Sequence, residues 1–486
     1  MPDPSRIDPL HISGFEHLSV DSQRLVRELI ENPDRVSGLD GHAGVSEADI
    51  ETLAAQGRAG TDGLEGHELT AALRFVTGHL TELFGSDAAP DGGGWSPGIA
   101  LPGVQTTPGI EAKLQRMSLR DKAQMLIMEY GSTRYQPKSG AIIVNQTHLK
   151  AGAVDQLKQL AQAYEGRRDV ALLIAADQEG GKVNRLKRMP GYSSVTFPSA
   201  KALGAMTLAQ IRAEGEKTGR GLRDAGVNVL LGPVLDVADP GSLMERMDRA
   251  FGSTPEDVIA KAGAFIDGIR SANPKVAIIA KHFPGYNVRS NSDITPTTDR
   301  SSREEIERRA RPFFEIDGLD GVMLSSIRYA AIDEVPACFS RAIIGMIRAQ
   351  KPNAVVVTDD LYAGSLLSRE TRAFKDYNIY KARSRRSQSS RDEAARLLRR
   401  YPQFEDPQAR QRLAAETDQE LQENARRAFL AGADLLLIMD SRKSRLMTDA
   451  ILGLVQRSDE NARRLDDSVR RLLLLRKKIA EGPGVG

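Results

Sequence analysis

The chain is poor in the residues from which many functional sites are built. It has one cysteine, Cys338, so an intramolecular disulfide framework and a cysteine-rich zinc site are both excluded. Cys338 sits in the apolar-flanked stretch Pro336-Ala337-Cys338-Phe339 and reads as a small buried residue rather than a nucleophile. No charge of one sign dominates: Lys+Arg 67 against Asp+Glu 65 gives no global attraction to nucleic acid or to an acidic membrane. No apolar run approaches the ~20 residues of a membrane-spanning helix. The opening Met1-Pro2-Asp3-Pro4-Ser5-Arg6 lacks the basic-then-apolar order of a secretory signal. These absences lead to the expectation of a cytoplasmic protein that binds neither nucleic acid nor membrane.

What is present falls into three parts. Residues 1–85 form a small helical segment, with helix-spaced apolar residues over Val20–Ile30, Glu47–Ala55 and Leu69–Leu83. Two related turns, Gly38–Gly44 and Thr61–His67, separate these helices. The repeat resembles a calcium-binding EF-hand pair, but the alternating carboxylate ligands and the central glycine register are missing, and turn chemistry explains it as well. What this segment binds is left open. Residues 86–108, rich in Gly and Pro, read as a linker.

From 109 to 480 apolar strand candidates alternate with helical stretches. The strands are Met125–Met128, Ala141–Val144, Val170–Ala175, Val227–Leu231, Val276–Ile279, Gly321–Leu324, Ala354–Val357 and Leu435–Met439. Helices are expected over Leu149–Tyr164, Leu208–Ala225, Pro255–Ser271 and Ser302–Phe314, the last opening with the capping box Ser302-Arg303-Glu304-Glu305. Eight such units predict an α/β fold, a (β/α)8 TIM-like barrel following the small helical domain. An open doubly wound sheet is the competitor, but no Gly-x-Gly-x-x-Gly follows the first strand. A basic, Ser-rich and then helical insertion occupies about 363–415. Following the seventh strand, it should overhang the barrel mouth as a lid, a protein contact, an anionic-ligand clamp or simply a solvated excursion.

In a barrel, the C-terminal strand ends converge on one pocket. Asp177 and Glu179 follow the third strand, Lys281 and His282 the fifth, and Asp359 with Asp360 the seventh. Carboxylates, Lys, His and Arg lining one pocket suit a polyhydroxylated ligand, because charge-assisted hydrogen bonds fix hydroxyl groups. Glycoside hydrolysis further needs a carboxylate nucleophile, for which Asp359 is well placed, and a proton donor across the scissile bond. A metal site built on Asp177, His282 and Asp359 is the rival reading. The lack of a closely spaced His/Asp cluster argues for no metal and no cofactor.

These residues lie in stretches that resemble glycoside hydrolase family 3, in its single-barrel bacterial β-N-acetylglucosaminidase branch. The stretches are Ala176–Arg185, Phe197-Pro198-Ser199, Gly232–Val237, Asp248–Gly252, Lys281–Gly285, Thr358–Leu361, Ala431–Asp434 and Asp467–Arg471, in the family's order and spacing. The resemblance implies that Asp359 is the nucleophile of a covalent glycosyl-enzyme. It also implies that Asp177, Arg185, Arg249, Lys281 and His282 hold the non-reducing-end sugar. Arg185 bracing its loop and His282 orienting Lys281 are the competing structural roles. The family branch usually follows Lys-His-Phe-Pro-Gly with His-Gly and a mobile loop whose Asp-Ser-His supplies the proton donor. Here Tyr286-Asn287 follow, the loop is shorter, and it holds no histidine.

Asn291-Ser292-Asp293 resembles the Asn-Thr-Asp of some members, so Asp293 is the candidate proton donor, favoured if burial raises its pKa. Ser325-Ser326 stand where the family has Ala-His, and Lys182 where it has Arg. The expected activity is a retaining β-N-acetylhexosaminidase acting on carbohydrate, with muropeptide fragments of cell-wall recycling as substrate class. A barrel that binds glycan with little or no turnover is the first alternative. The second is a β-glucosidase-type member; those carry a second domain after the barrel, whereas this sequence stops soon after Arg471.

Overall fold

The computed structural model describes Val104, residues 106–131 and residues 137–482. The three N-terminal helices expected from the sequence, their two turns and most of the linker lie outside the described residues. Two helices, α1 (Pro108–Arg116) and α2 (Leu119–Met125), lead into the first strand.

Eight parallel strands follow: β1 (Ile127–Tyr130), β2 (Ala141–Val144), β3 (Leu173–Ala176), β4 (Val229–Val234), β5 (Ala277–Phe283), β6 (Gly321–Leu324), β7 (Val355–Val357) and β8 (Leu436–Ile438). From β1 to β7 each pairs with the next, β8 pairs with β1 through Ile127 opposite Leu436, and a single bridge between Val357 and Leu435 joins β7 to β8 and closes the ring. The chain therefore forms the expected closed β/α barrel. Its strands are buried on both faces, which is why they read in the sequence as continuous apolar runs rather than as alternating ones.

The outer ring comprises α3 (Ala153–Arg168), α4 (Leu208–Asp224), α5 (Pro255–Ala272), α6 (Arg303–Glu315) and α7 (Arg341–Gln350). Five further helices follow in the chain: α8 (Arg369–Arg383), α9 (Gln388–Arg400), α10 (Pro407–Ala431), α11 (Ser444–Val455) and α12 (Asp459–Glu481). The capping box at α6 forms as expected: Ser302 Oγ accepts from the Glu305 amide at 3.2 Å, and Glu305 accepts from the Ser302 amide at 3.0 Å. Helix α3 starts later than its apolar spacing suggests. Asn145 Oδ1 captures the Thr147 amide at 2.8 Å and Gly152 adopts φ 74°, so 145–152 fold as turns. Helices α4 and α5 touch backbone to backbone. A Cβ at Gly215 would lie 2.2 Å from the Phe265 carbonyl oxygen, and one at Gly268 2.0 Å from that of Arg212, so only glycine allows this approach.

The bottom of the barrel is held by an ion cluster that joins two distant stretches of the resemblance. Asp434 is fully buried and accepts from Ser468 Oγ at 2.6 Å, Arg471 at 3.2 Å and the Val356 amide at 3.0 Å, and pairs with Arg348. The insertion after β7 is an ordered helical excursion. Its helices α8, α9 and the start of α10 enclose a small core of Phe374, Tyr377, Leu397, Phe404 and Leu413. Those aromatics explain why so basic a segment folds.

Candidate active site

Strand β5 runs past its apolar stretch as far as Phe283, so Lys281 and His282 are part of the strand itself and buried in the barrel mouth. Lys281 Nζ donates to Asp177 Oδ1 at 2.7 Å and pairs with Glu179 Oε1 at 2.7 Å. Glu179 in turn takes Arg249 in a two-pronged pair, Nε to Oε2 and Nη2 to Oε1, both 2.8 Å. Burial pushes both Asp177 and Glu179 toward the neutral acid, but the Lys281 charge outweighs it and holds each below the usual carboxylate range. Lys281 is held up by the same two charges against the opposing effect of burial.

His282 is fixed from the other side. Asp236, fully buried at the end of β4, accepts from His282 Nδ1 at 2.7 Å, from the His282 amide at 3.2 Å and from the Tyr286 amide at 2.7 Å. His282 Nε2 faces Arg249 Nη2 at 3.5 Å. Five of the residues picked from the sequence thus meet in one network: Asp177, Arg185, Arg249, Lys281 and His282. Arg185 is the loosest member. It approaches Asp177 Oδ2 at only 3.5 Å, and its Nε is buried with no partner among the described residues. Those two groups are the pair with spare hydrogen-bonding capacity for a ligand's hydroxyls.

Asp359 lies half-buried at the end of β7, its Oδ1 accepting from the Asp360 amide at 2.8 Å. Burial, with the charge of Asp293 next, pushes Asp359 up to about 7, against a lowering by His282. Asp360 serves the barrel instead, accepting from the amides of Tyr362 and Met439 at 3.1 Å each. Asp293 rides on the loop after β5, and its carbonyl accepts from the Gly364 amide of the Asp359 loop at 2.9 Å. The side chain is exposed, so the burial expected to favour Asp293 as a proton donor is absent. Its neighbours Ile294 and Thr295 are exposed as well.

Three residues here were not singled out by sequence reasoning. Glu179 was read as a strand-end carboxylate but not as the hub joining Lys281 to Arg249. Asp236 lay inside a matched stretch without a role, although a carboxylate directly after an apolar strand was the available signal. Tyr286 was seen as a departure from the family pattern, and nothing local indicated what it holds. Ser325 and Ser326, where the family has Ala-His, are both buried; Ser325 Oγ meets Tyr329 Oη at 3.0 Å. Lys182 is exposed. Among the described residues no group of three or more His, Cys, Asp or Glu has the arrangement to hold a metal ion.

The barrel is similar to known proteins. The glycosyl hydrolase family 3 N-terminal domain profile matches residues 119–377. The beta-hexosaminidase of Methylococcus capsulatus is 34% identical over 233 residues, 46% of this chain and 67% of that protein. The beta-hexosaminidase of Idiomarina loihiensis is 31% identical over 242 residues, 46% of this chain and 70% of that protein. Among solved structures, a beta-N-acetylhexosaminidase from Beutenbergia cavernae superposes with a TM-score of 0.58 at 26% identity, covering 74% of this chain and 99% of that one.

Proposed function

The chain belongs to glycoside hydrolase family 3, and from that premise we propose that it is a retaining β-N-acetylhexosaminidase that removes β-linked N-acetylglucosamine. The observation that carries the reading is the placement of Asp359 beside the Asp177–Lys281–Glu179–Arg249 network, with a second carboxylate, Asp293, tied to its own loop. Asp177 and Arg185 supply acceptor and donor to sugar hydroxyls, and Lys281, His282 and Arg249 fix the ring. An Asp359 oxygen attacks the anomeric carbon as the bond to the leaving oxygen breaks, and the Asp293 proton passes to that oxygen. Water then donates a proton to the Asp293 carboxylate while its oxygen displaces Asp359 from the anomeric carbon. Muropeptide fragments from cell-wall recycling, met in the cytoplasm, are the substrate class we favour. No described helix is long and apolar enough to cross a membrane.

Purified protein is expected to hydrolyse a chromogenic β-N-acetylglucosaminide and to leave the matching β-glucoside untouched. The reverse preference would replace this reading with the β-glucosidase one. The exposure of Asp293 favours one competing reading, a barrel that grips the sugar without turning it over. Silence on both glycosides, with N-acetylglucosamine still raising the melting temperature, would establish that instead.

The pH profile on an activated aryl glycoside, whose leaving oxygen needs no proton, follows from Asp359. Attack requires Asp359 ionised, and burial with the Asp293 charge raises it to about 7. kcat/KM on that substrate is therefore expected to rise as pH rises through about 7. In Asp293→Asn the like charge is gone, Asp359 ionises at lower pH, and the rising limb should move to lower pH. An unmoved limb in the variant would show that another group sets it.

A further inference from the structure

Asp293 has no packing to hold it, because its side chain is exposed. Its loop is fixed through the backbone. The Asp293 amide donates to Asn291 Oδ1 at 2.9 Å, and its carbonyl accepts from the Gly364 amide at 2.9 Å. The residue before it, Ser292, is fully buried and donates its amide to Tyr286 Oη at 2.7 Å. The same hydroxyl donates to the Ser290 carbonyl at 2.8 Å, so one phenol closes the loop on both sides of Asn291. At its other end Tyr286 is equally committed. Its amide donates to Asp236 Oδ1 at 2.7 Å, the carboxylate that also holds His282 Nδ1, and its ring meets the His282 ring edge-on at 5.6 Å.

We infer that Tyr286 is a positioning residue: a rigid aromatic strut that sets the distance from the sugar-gripping Asp236–His282 pair to the proton donor Asp293. The inference rests on the reading of Asp293 as that donor. A buried side chain with two rotatable bonds transmits position with little slack, whereas an exposed aspartate on an untethered loop would sample many placements. Misplacement of a reacting group by about 1 Å can cost about 100-fold in rate. Tyr286 touches neither substrate nor reacting atoms in this scheme; it acts through the Ser292 amide.

The test separates positioning of the acid from general support of the fold. Tyr286→Phe keeps the ring and its contact with His282 and removes only Oη. Two β-N-acetylglucosaminides are compared by kcat/KM, which reports steps up to formation of the glycosyl-enzyme. A phenyl glycoside needs its leaving oxygen protonated, and a 2,4-dinitrophenyl glycoside does not. Tyr286→Phe is expected to lose about 10- to 100-fold on the phenyl glycoside and less than about 3-fold on the dinitrophenyl one. Asp293→Asn, measured alongside, should show the same split at larger size. Equal losses for Tyr286→Phe on both substrates, with Asp293→Asn still split, would overturn the inference alone. No split in Asp293→Asn would instead remove Asp293 as the proton donor, and the strut with it.

Discussion

Asp359→Asn is expected to abolish turnover on every β-N-acetylglucosaminide, by at least about 10⁴-fold, while the protein becomes more stable. The loss follows from chemistry: no other side chain at the end of β7 offers an oxygen to the anomeric carbon, since Asp360 is occupied by two amides. Removing the group that forms the covalent bond leaves only binding and electrostatics, which in a comparable hydrolase cost about 10⁶-fold. The gain in stability follows from the raised pKa. Burial and the Asp293 charge lift Asp359 from 3.8 to about 7, so the folded state disfavours its carboxylate relative to the unfolded chain. Stability that is present below the ordinary value is lost as pH rises through about 7. An asparagine carries no charge to disfavour and still accepts from the Asp360 amide. Thermal melts should therefore show a larger rise in Tm for the variant at pH 8 than at pH 5. A variant that melts lower than the parent at pH 8 would mean that the carboxylate is satisfied in the fold; full activity would remove Asp359 as nucleophile.

The barrel was legible because its strands are parallel and covered on both faces, so Ala141–Val144 and Gly321–Leu324 stand out as unbroken apolar runs. Boundaries were less so where a polar side chain continues a strand or an apolar one ends a helix. Strand β5 carries on through Lys281 and His282, and Met125 belongs to α2, whose start is set by Ser118 accepting from the Asp121 amide. Asp177, Lys281, His282 and Asp359 were readable one by one, since each ends a strand or follows it closely; Arg185, Arg249 and Asp293, further from any strand, were legible only through the resemblance. Their pairings were not. Glu179 and Arg249 are 70 residues apart, and only the pairing of β3 with β4 brings the segments that follow them to 2.8 Å. Tyr286 is harder still: its role depends on a loop fold in which one hydroxyl meets two backbone groups, and no residue pattern announces that. Exposure of Asp293 was likewise outside the reach of the sequence, because a short polar loop can fold either over a carboxylate or beneath it.

Lys281→Met should have the second large effect, and on two properties at once. Lys281 is 3% exposed and lies between Asp177 and Glu179. Its ammonium is what keeps both carboxylates ionised against the pull of burial. Breaking a buried pair by removing one partner typically costs about 3–5 kcal/mol, because the remaining charge is left uncompensated. Glu179 retains Arg249, so Asp177 suffers more, having only Arg185 at 3.5 Å. The sign of the pH dependence should change with it. In the parent, the depressed carboxylates contribute stability that is present above their ordinary pKa and lost as pH falls. In the variant, burial dominates at Asp177, which then favours the protonated form, so the deficit in denaturant melts should shrink between pH 8 and pH 5. Sugar binding should weaken by about 100-fold or more, the loss of roughly 3 kcal/mol for a charged hydrogen bond and the disordered acceptor beside it. Lys281→Arg should not restore it, since the larger planar guanidinium does not fit the buried position that a compact ammonium fills between the two carboxylates. A Lys281→Met protein with parental stability at pH 8 would show that water or Arg249 already compensates Asp177, and that the network's order does not depend on the lysine.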